Sequence, residues 1–354
     1  METVNLSGIV TCAYDEIFQC GDRPILALID LDTHYIATMT CTDDRSAETW
    51  AIVMTLLADR GLNYQYGISD FGTGLLSGVG TVFPNARQSG DVFHAIREVG
   101  EELQKIENYA YGRLKSIVQL ELAVSGPKPR QKTIAKLADE RASIDDDLLR
   151  ADTAMTLLSW LKELLAFPGY YAHEVKALVG WVLDEMDKIG GRTYALHEKT
   201  DFMRRKLDMV LGFHDQLINN MSLQAEKAGI APEIVSLVYR QSAEVKSSIV
   251  YRSIERRLVR FNASDVEKAR ELLSPVISMT HRASSMIENT NSRIRKYINA
   301  KHYLSNPFLA LLQLYFNTKK IRRGDDVRKE HSPLEQLTGD SRSFFEILGL
   351  EKAA

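Results

Sequence analysis

The sequence predicts an α/β chain: a mixed sheet with flanking helices, interrupted by a large all-helical insertion, and mostly helical overall. Three observations predict it. The first ninety residues alternate β-rich runs with one helical pattern. Past residue 92, long apolar patterns at helical spacing take over. Beyond about residue 263, a polar-faced helix and a strongly apolar helix follow, suited to cover a sheet. The expected divisions are 1–91 for the first part of the core, 92–262 for the insertion, 263–322 for the second part of the core and 323–354 for a C-terminal tail.

The elements follow in order. "SGIVTCAYDEIFQ" is a β-rich run ending at the turn "CGDR". "PILALID" is almost continuously apolar and "YIATMTC" follows closely, the pattern of buried, adjacent strands. In "RSAETWAIVMTLLADRG" the apolar spacing is near 3.6, with Asp43 and Asp44 placed as caps and Gly61 as a stop, so it reads as a helix. "YQYGISD" is a short strand ending at Asp70, and the Gly-rich "FGTGLLSGVG" reads as a loop. Breaks at "GPKPR", "FPGYY", "GG" and "GIAP" divide residues 92–262 into about five helices. No repeat at a fixed period is visible. A helix carrying Glu288 comes next, then "PFLALLQLYF", the basic run "TKKIRR" and the closing "SPLEQLTGDSRSFFEILGL".

The chain of 354 residues exceeds one typical domain. Ordinary hydrophobic content excludes disordered and collagen-like classes. No apolar run approaches the roughly 18–20 residues that cross a bilayer, and "METVNLSGIV" lacks the regions of a signal peptide. Cys12, Cys20 and Cys41 are an odd set without zinc-site spacing and read as reduced thiols. The expected location is the cytoplasm, with no membrane partner.

The net charge of −3 is unevenly spread. Residues 281–330 hold 11 Lys and Arg against 4 Asp and Glu, a balance of +7 that leaves −10 for the remainder. A basic segment in an acidic chain points to a localised polyanion contact.

Within that segment, Met279, Ala283, Met286, Ile287, Ile294, Tyr297 and Ile298 form an apolar stripe at helical spacing. Glu288, Asn291, Ser292, Arg295 and Asn299 form a polar ridge beside it. A solvated face more often alternates Glu and Lys; this one has a single acid followed by amides and bases. Two further acids stand at strand positions, Asp15 within the first and Asp70 at the end of the last. Parallel, neighbouring strands would set these two side by side, and a later helix packed on the sheet could deliver Glu288. Three converging carboxylates suit Mg²⁺, which prefers oxygen ligands, with Mn²⁺ able to substitute. A pair of such ions about 4 Å apart activates water or a 3′-hydroxyl and stabilises the leaving oxygen of a phosphodiester.

These stretches resemble the DDE transposases of bacterial insertion sequences, whose catalytic core is RNase H-like. The resemblance lies in "YDEIFQCGDRPILALIDLDTHYI", "YGISDFGTGL", "SGDVFH", "MIENTNSRIRKYINAKHYLSNPFLALLQLYFNTKK" and "SPLEQLTG", covering about residues 10–100 and 275–350. It implies a catalytic and metal-binding triad of Asp15, Asp70 and Glu288, with DNA transposition and recombination as the activity. Asn291, Arg293, Arg295, Lys296, Lys319 and Lys320 are the expected DNA-binding residues. Asp30 and Asp32 rival Asp15, but an acid there would leave too few strands before the helix. The 218-position gap from Asp70 to Glu288 resembles family members with an all-helical insertion.

Weaker signals have two readings each. In "DVFH", Asp91 and His94 are a helix cap with a partly buried histidine, or, by the resemblance, an acid and histidine that steady the active site. Trp160 and Trp181 read as core, although an inserted aromatic can stack on a flipped base. "DEMDK" and "SIDDDLL" read as solvated faces or caps. The glycines after Asp70 match no phosphate-binding pattern and read as backbone freedom.

The expected function is metal-dependent DNA strand cleavage followed by 3′-hydroxyl strand transfer, performed by a homo-oligomer on DNA. The alternatives are an RNase H-like nuclease that only hydrolyses, or a non-catalytic remnant that binds DNA or a partner transposase. The first strand begins within ten residues of Met1, so a DNA-recognition domain is expected to be absent or supplied by another subunit.

Overall fold

A computed structural model describes residues 4–18, 23–128, 130–190, 194–299, 305–322 and 328–350. Cys20, Gly21 and Asp22 of the expected turn, Pro129 of the first helical break, Gly191 and Arg323 lie outside them. The chain forms two compact units, one of residues 1–93, 215–220 and 275–354, the other of residues 94–214 and 221–274.

The first unit is built on one mixed sheet of β1 (Thr11–Phe18), β2 (Pro24–Asp30), β3 (Ile36–Cys41), β4 (Tyr66–Ser69) and β5 (Arg87–Gly90), in the order β3-β2-β1-β4-β5. β1 pairs antiparallel with β2 and parallel with β4. Every residue of β2 is buried, which explains a continuous apolar sequence where a half-exposed strand would alternate. The short polar strand β5 has no hydrophobic signal and is not legible as a strand in the sequence.

On one face of the sheet, Tyr14, Leu26 and Leu28 pack with Trp50 and Met54 of α1 (Ala47–Ala58) and Leu75 of α2 (Thr73–Val82). Two expectations are corrected here. Ser46, not Asp43 or Asp44, caps α1, accepting from the Thr49 amide, while Asp44 accepts from the Ser46 amide at 2.9 Å. The stretch "FGTGLLSGVG" is largely a helix, not a loop. Its glycines serve contact between helices: a Cβ on Gly78 would meet the Ala47 carbonyl oxygen at 2.4 Å and Trp50 Cβ at 2.6 Å. A Cβ on Gly74 would meet the Arg45 carbonyl at 2.6 Å. Glycine lowers helix propensity, but here it lets two helix backbones touch.

The helical stretch comprises α3 (Val92–Val124), α4 (Gln131–Leu164), α5 (Ala172–Gly190), α6 (Tyr194–Val210), α7 (Phe213–Lys227), α8 (Pro232–Ser242), α9 (Ile249–Leu258) and α10 (Ala263–Ser278). Residues 92–262 thus hold seven helices among the described residues, where about five are expected. The additional breaks lie at Leu211–Gly212 and at 243–248, where Ser248 caps α9 by accepting from the Tyr251 amide. The second unit runs on to Ser274, past the expected boundary at 262, and one turn of α7 belongs to the first unit. In that turn Gln216 donates to Thr11 Oγ1 at 3.2 Å and Asn220 to Thr280 Oγ1 at 3.0 Å.

The other face of the sheet carries Ala13, Ile17, Ile25, Ala27 and Ile29. They pack against Ile287, Ile294 and Ile298 of α11 (Ser285–Ile298) and Leu309, Leu312 and Phe316 of α12 (Asn306–Thr318). The apolar stripe on α11 is narrower than expected, because Met279 and Ala283 precede the helix and Tyr297 is 41% exposed. The edge strand β3 is closed by amide side chains of α12. Asn317 accepts from the Ile36 amide and donates to its carbonyl, both at 2.8 Å, and Asn306 accepts from the Cys41 amide at 2.9 Å. Such a cover removes the unpaired backbone that makes an edge strand prone to aggregate. The short helices α13 (Pro333–Thr338) and α14 (Phe344–Ile347) complete the chain, each opened by a Ser–Glu capping box.

Cys12 and Cys41 are buried and free, and burial pushes the Cys12 thiol well up. Among the described residues no helix is long and apolar enough to cross a membrane.

Candidate active site

The sheet register sets the geometry of the acids. Tyr14 of β1 lies opposite Ser69 of β4, so Asp15 and Asp70 are the next residues on two parallel neighbours. Side chains alternate along a strand, which puts Asp15 with Ala13 and Ile17, and Asp70 with Ile68, on the face covered by α11. Glu288 follows Ile287, the residue that seats the first turn of α11 on that face. Burial pushes the Asp15 carboxyl up to about 6; the Glu16 amide opposes this, the charges of Asp70 and Glu288 add to it, and Arg295 opposes it. The Asp15 carboxyl therefore feels the charges of both other acids.

Hydrogen bonds hold two of these carboxylates in place. Asp15 Oδ1 accepts from the Glu16 amide at 2.7 Å and Oδ2 from Asn291 Nδ2 at 2.6 Å. Asp70 Oδ1 accepts from the Gly72 amide at 3.3 Å. Asn291 is only 2% exposed, so the expectation that it binds DNA from the surface is corrected. It lies one helical turn after Glu288 and faces the sheet. Its Oδ1 is buried with no hydrogen-bond partner among the described residues.

The chain matches no protein-family model and no curated protein.

The rival acids lie elsewhere. Asp30 is opposite Cys12, towards the far end of β1, and its carboxylate is taken up by the Thr33 amide and hydroxyl at 3.0 and 2.5 Å. Asp32 pairs with His281 at 3.0 Å. Glu16 points to the opposite face, where Trp50 Nε1 donates to it at 3.1 Å and Arg45 pairs with it at 2.9 Å. The alternation of β1 thus gives the two acids of "DE" different surroundings.

The bases expected to hold DNA divide into groups. Arg295 is on the Glu288 ridge and acts on Asp15. Arg293 turns away and lies 4.9 Å above the Phe316 ring. Lys296, Lys319 and Lys320 are exposed. Asp91 is buried and accepts from the Ser284 amide at 2.9 Å and from its hydroxyl, tying the end of β5 to the start of the Glu288 helix. His94 instead lies within its own helix, bonded to Arg97 at 3.0 Å and paired with Glu98 at 3.5 Å.

For a divalent cation the donors are right in kind: three carboxylates and a nearby amide oxygen without a donor. The side chains are not gathered into one shell, since among the described residues no three His, Cys, Asp or Glu converge closely enough to hold a metal ion. Both oxygens of Asp15 and one of Asp70 accept hydrogen bonds.

Other readings are also corrected. Trp160 and Trp181 are not core: they are 42% and 49% exposed and stack on each other at 5.8 Å beside a pocket of about 440 Å³. The acids of "DEMDK" and "SIDDDLL" are partly paired across helices. Asp184 and Asp187 bind Arg204, and Asp147 binds Arg113.

One prediction concerns the metal-free fold. Its Asp15 carboxyl is raised from the ordinary 3.8 to about 6, so the folded state holds the proton more tightly than the unfolded chain does. The stability this contributes is present below about 3.8 and is lost as pH rises to about 6. At 1.36 kcal/mol per unit of pKa, the ionised group costs roughly 3 kcal/mol at neutral pH. Asp15→Asn removes that cost but loses one charge-assisted hydrogen bond, so a net gain of about 1–2 kcal/mol at pH 7.5 in EDTA is expected. Thermal melts at pH 4 and pH 7.5 check it; a variant less stable than wild type at both would contradict the assignment.

Proposed function

We propose that this chain is the catalytic region of a DDE transposase, an RNase H-like core interrupted by a helical insertion. The observation that carries the reading is an acid on one strand, a second just past the end of its parallel neighbour and a third on the helix that covers them. The order strand–strand–strand–helix–strand, with those acids on the first strand and directly after the fourth, supports the same reading. The resemblance in the flanking motifs gives the class of reaction.

Asp15, Asp70 and Glu288 would hold Mg²⁺ or Mn²⁺. Bound there, the metal would supply Lewis-acid stabilisation of the phosphate and a water or hydroxyl made acidic enough to attack. The chain's own residues do the rest. Asn291 keeps the Asp15 carboxylate turned towards α11, and Asp91 anchors the start of that helix through Ser284. Arg295, beside the acids, offers a guanidinium to the phosphate undergoing substitution. Arg293, Lys296, Lys319 and Lys320 neutralise neighbouring phosphates, giving affinity without reading sequence. In the first reaction a water oxygen bonds to phosphorus and the 3′-oxygen leaves with a proton. In the second, that 3′-hydroxyl attacks another phosphodiester and displaces its 3′-oxygen. Copies of the chain would assemble on DNA.

Strand transfer is the deciding test. A labelled oligonucleotide with a free 3′-hydroxyl, incubated with supercoiled plasmid, protein and Mg²⁺, should become covalently joined to the plasmid. Nicked plasmid without joined label would indicate a nuclease that only hydrolyses. No reaction in either Mg²⁺ or Mn²⁺ would favour the non-catalytic alternative.

A further inference from the structure

The aromatic side chains beside the basic residues of α11 and α12 form a connected run of rings, exposed at its ends, that phosphate contacts alone do not require. Tyr297 of α11 meets Tyr315 and Phe316 of α12 edge-to-face, with ring centres 6.2 and 5.7 Å apart. Tyr315 meets Phe344 of α14 at 5.9 Å, and Phe344 meets Phe345 at 5.5 Å. Tyr297 and Phe345 are 41% and 53% exposed, so this chain of rings opens to solvent at both ends. Cations are set into it: Arg293 lies over Phe316, and Lys319 lies 5.2 Å above Tyr315 and 3.2 Å from its hydroxyl. Neither Arg293 nor Lys319, nor exposed Lys296 and Lys320, forms an ion pair with a described residue. The single acid of α14, Glu346, is folded back onto the Ser343 amide at 2.6 Å.

We propose that this surface binds unpaired DNA, stacking bases on Tyr297 and Phe345 while the intervening cations track the backbone. Three features select that occupant. The surplus of unpaired positive charge calls for a polyanion. Aromatic rings offer planar apolar area that a duplex, with its bases stacked inside, cannot use. The combination of a basic track with aromatic platforms is how proteins hold single strands without sequence preference. The inference rests on the reading of the chain as a DNA-acting protein and adds a preference for strand-separated ends over intact duplex.

The test compares a fluorescein-labelled oligo(dT) with a duplex of equal length, binding to the full chain in EDTA so that catalysis is not needed. Tighter binding of the single strand is expected. Phe345→Ala should weaken it by about tenfold, within the range that removal of one stacking ring costs, and leave duplex binding almost unchanged. Tyr297→Ala should act likewise and Tyr297→Phe should restore affinity, which separates stacking from a folding defect. Oligo(dT) carrying one 5-iodouracil should photo-cross-link to Tyr297 or Phe345. Arg293→Ala should instead flatten the salt dependence for both ligands by about one unit of log–log slope. Equal affinity for the two ligands, or unaltered single-strand binding by Phe345→Ala, would overturn the proposal. So would a shift of Phe345→Ala from oligomer to monomer without an effect on DNA, which would make the surface an interface between copies. Strand transfer is scored separately: single-strand preference without joining would leave this surface standing and remove the transposase reading, and joining without the preference would do the reverse.

Discussion

Replacing Glu288 by Gln should abolish strand cleavage and strand transfer while leaving the fold and DNA affinity close to wild type. The amide keeps the shape of the side chain and its place beside Ile287, so the packing of α11 on the sheet is undisturbed. What is lost is the negative charge needed to retain a hard divalent cation beside Asp15 and Asp70. The expected loss exceeds the roughly 10–100-fold that removal of an outer-shell partner costs, because Glu288 would be a ligand itself. Plasmid nicking in Mg²⁺ and in Mn²⁺ reads the activity, and oligo(dT) binding in EDTA reads DNA affinity. One less charge near Asp15 should also bring its carboxyl down towards the ordinary value. Unchanged nicking by the variant would show that Glu288 is only part of a polar surface, and the site would have to be sought elsewhere.

The second large effect is on stability. Gly78→Ala should destabilise the first unit by about 3 kcal/mol or more, at or beyond the upper end of the usual overpacking cost. The added methyl would be 2.4 Å from the Ala47 carbonyl oxygen and 2.6 Å from Trp50 Cβ. Neither neighbour is the far end of a flexible side chain, so relief requires α1 and α2 to move apart and to loosen the core around Trp50. Gly80, on the same helix, has nothing within 4 Å of the equivalent position. There the same substitution should stabilise by up to about 1 kcal/mol through helix propensity alone. Urea denaturation of the two variants gives opposite signs under this account. A neutral Gly78→Ala would mean that α1 and α2 do not pack as closely as described.

Parts of this architecture were legible because they depend on local pattern. The continuous apolar "PILALID" is a buried strand, and the 3.6-residue spacing from Ala47 onwards is a helix. The placement of Asp15 and Asp70 on neighbouring strands needed one assumption, that β1 and β4 are parallel, which no local signal carries. The glycines of α2 carry the opposite local signal: a Gly-rich run favours a loop, whereas here the gain comes from contact with a second helix. Asn291 was misassigned for a similar reason. A helical ridge shows which residues are neighbours, but not which of them the sheet will bury. Size and apolarity point Trp160 and Trp181 to the core, yet they cover each other at the surface of the helical unit.

By itself the sequence determined where most of the strands and helices lie, that charge is concentrated in residues 281–330, and which acids were candidates. Periodicity and composition are properties of a chain segment, so they survive without knowledge of its neighbours. Only the tertiary structure decided that Asp15 faces α11 while Glu16 faces Trp50, and that Asn291 binds Asp15. It likewise decided that Arg295 stays with the acids while Arg293 joins the aromatic surface. Those outcomes depend on which surfaces meet, and the meeting joins residues as far apart as positions 15 and 291 through a register and a helix orientation that neither segment encodes alone.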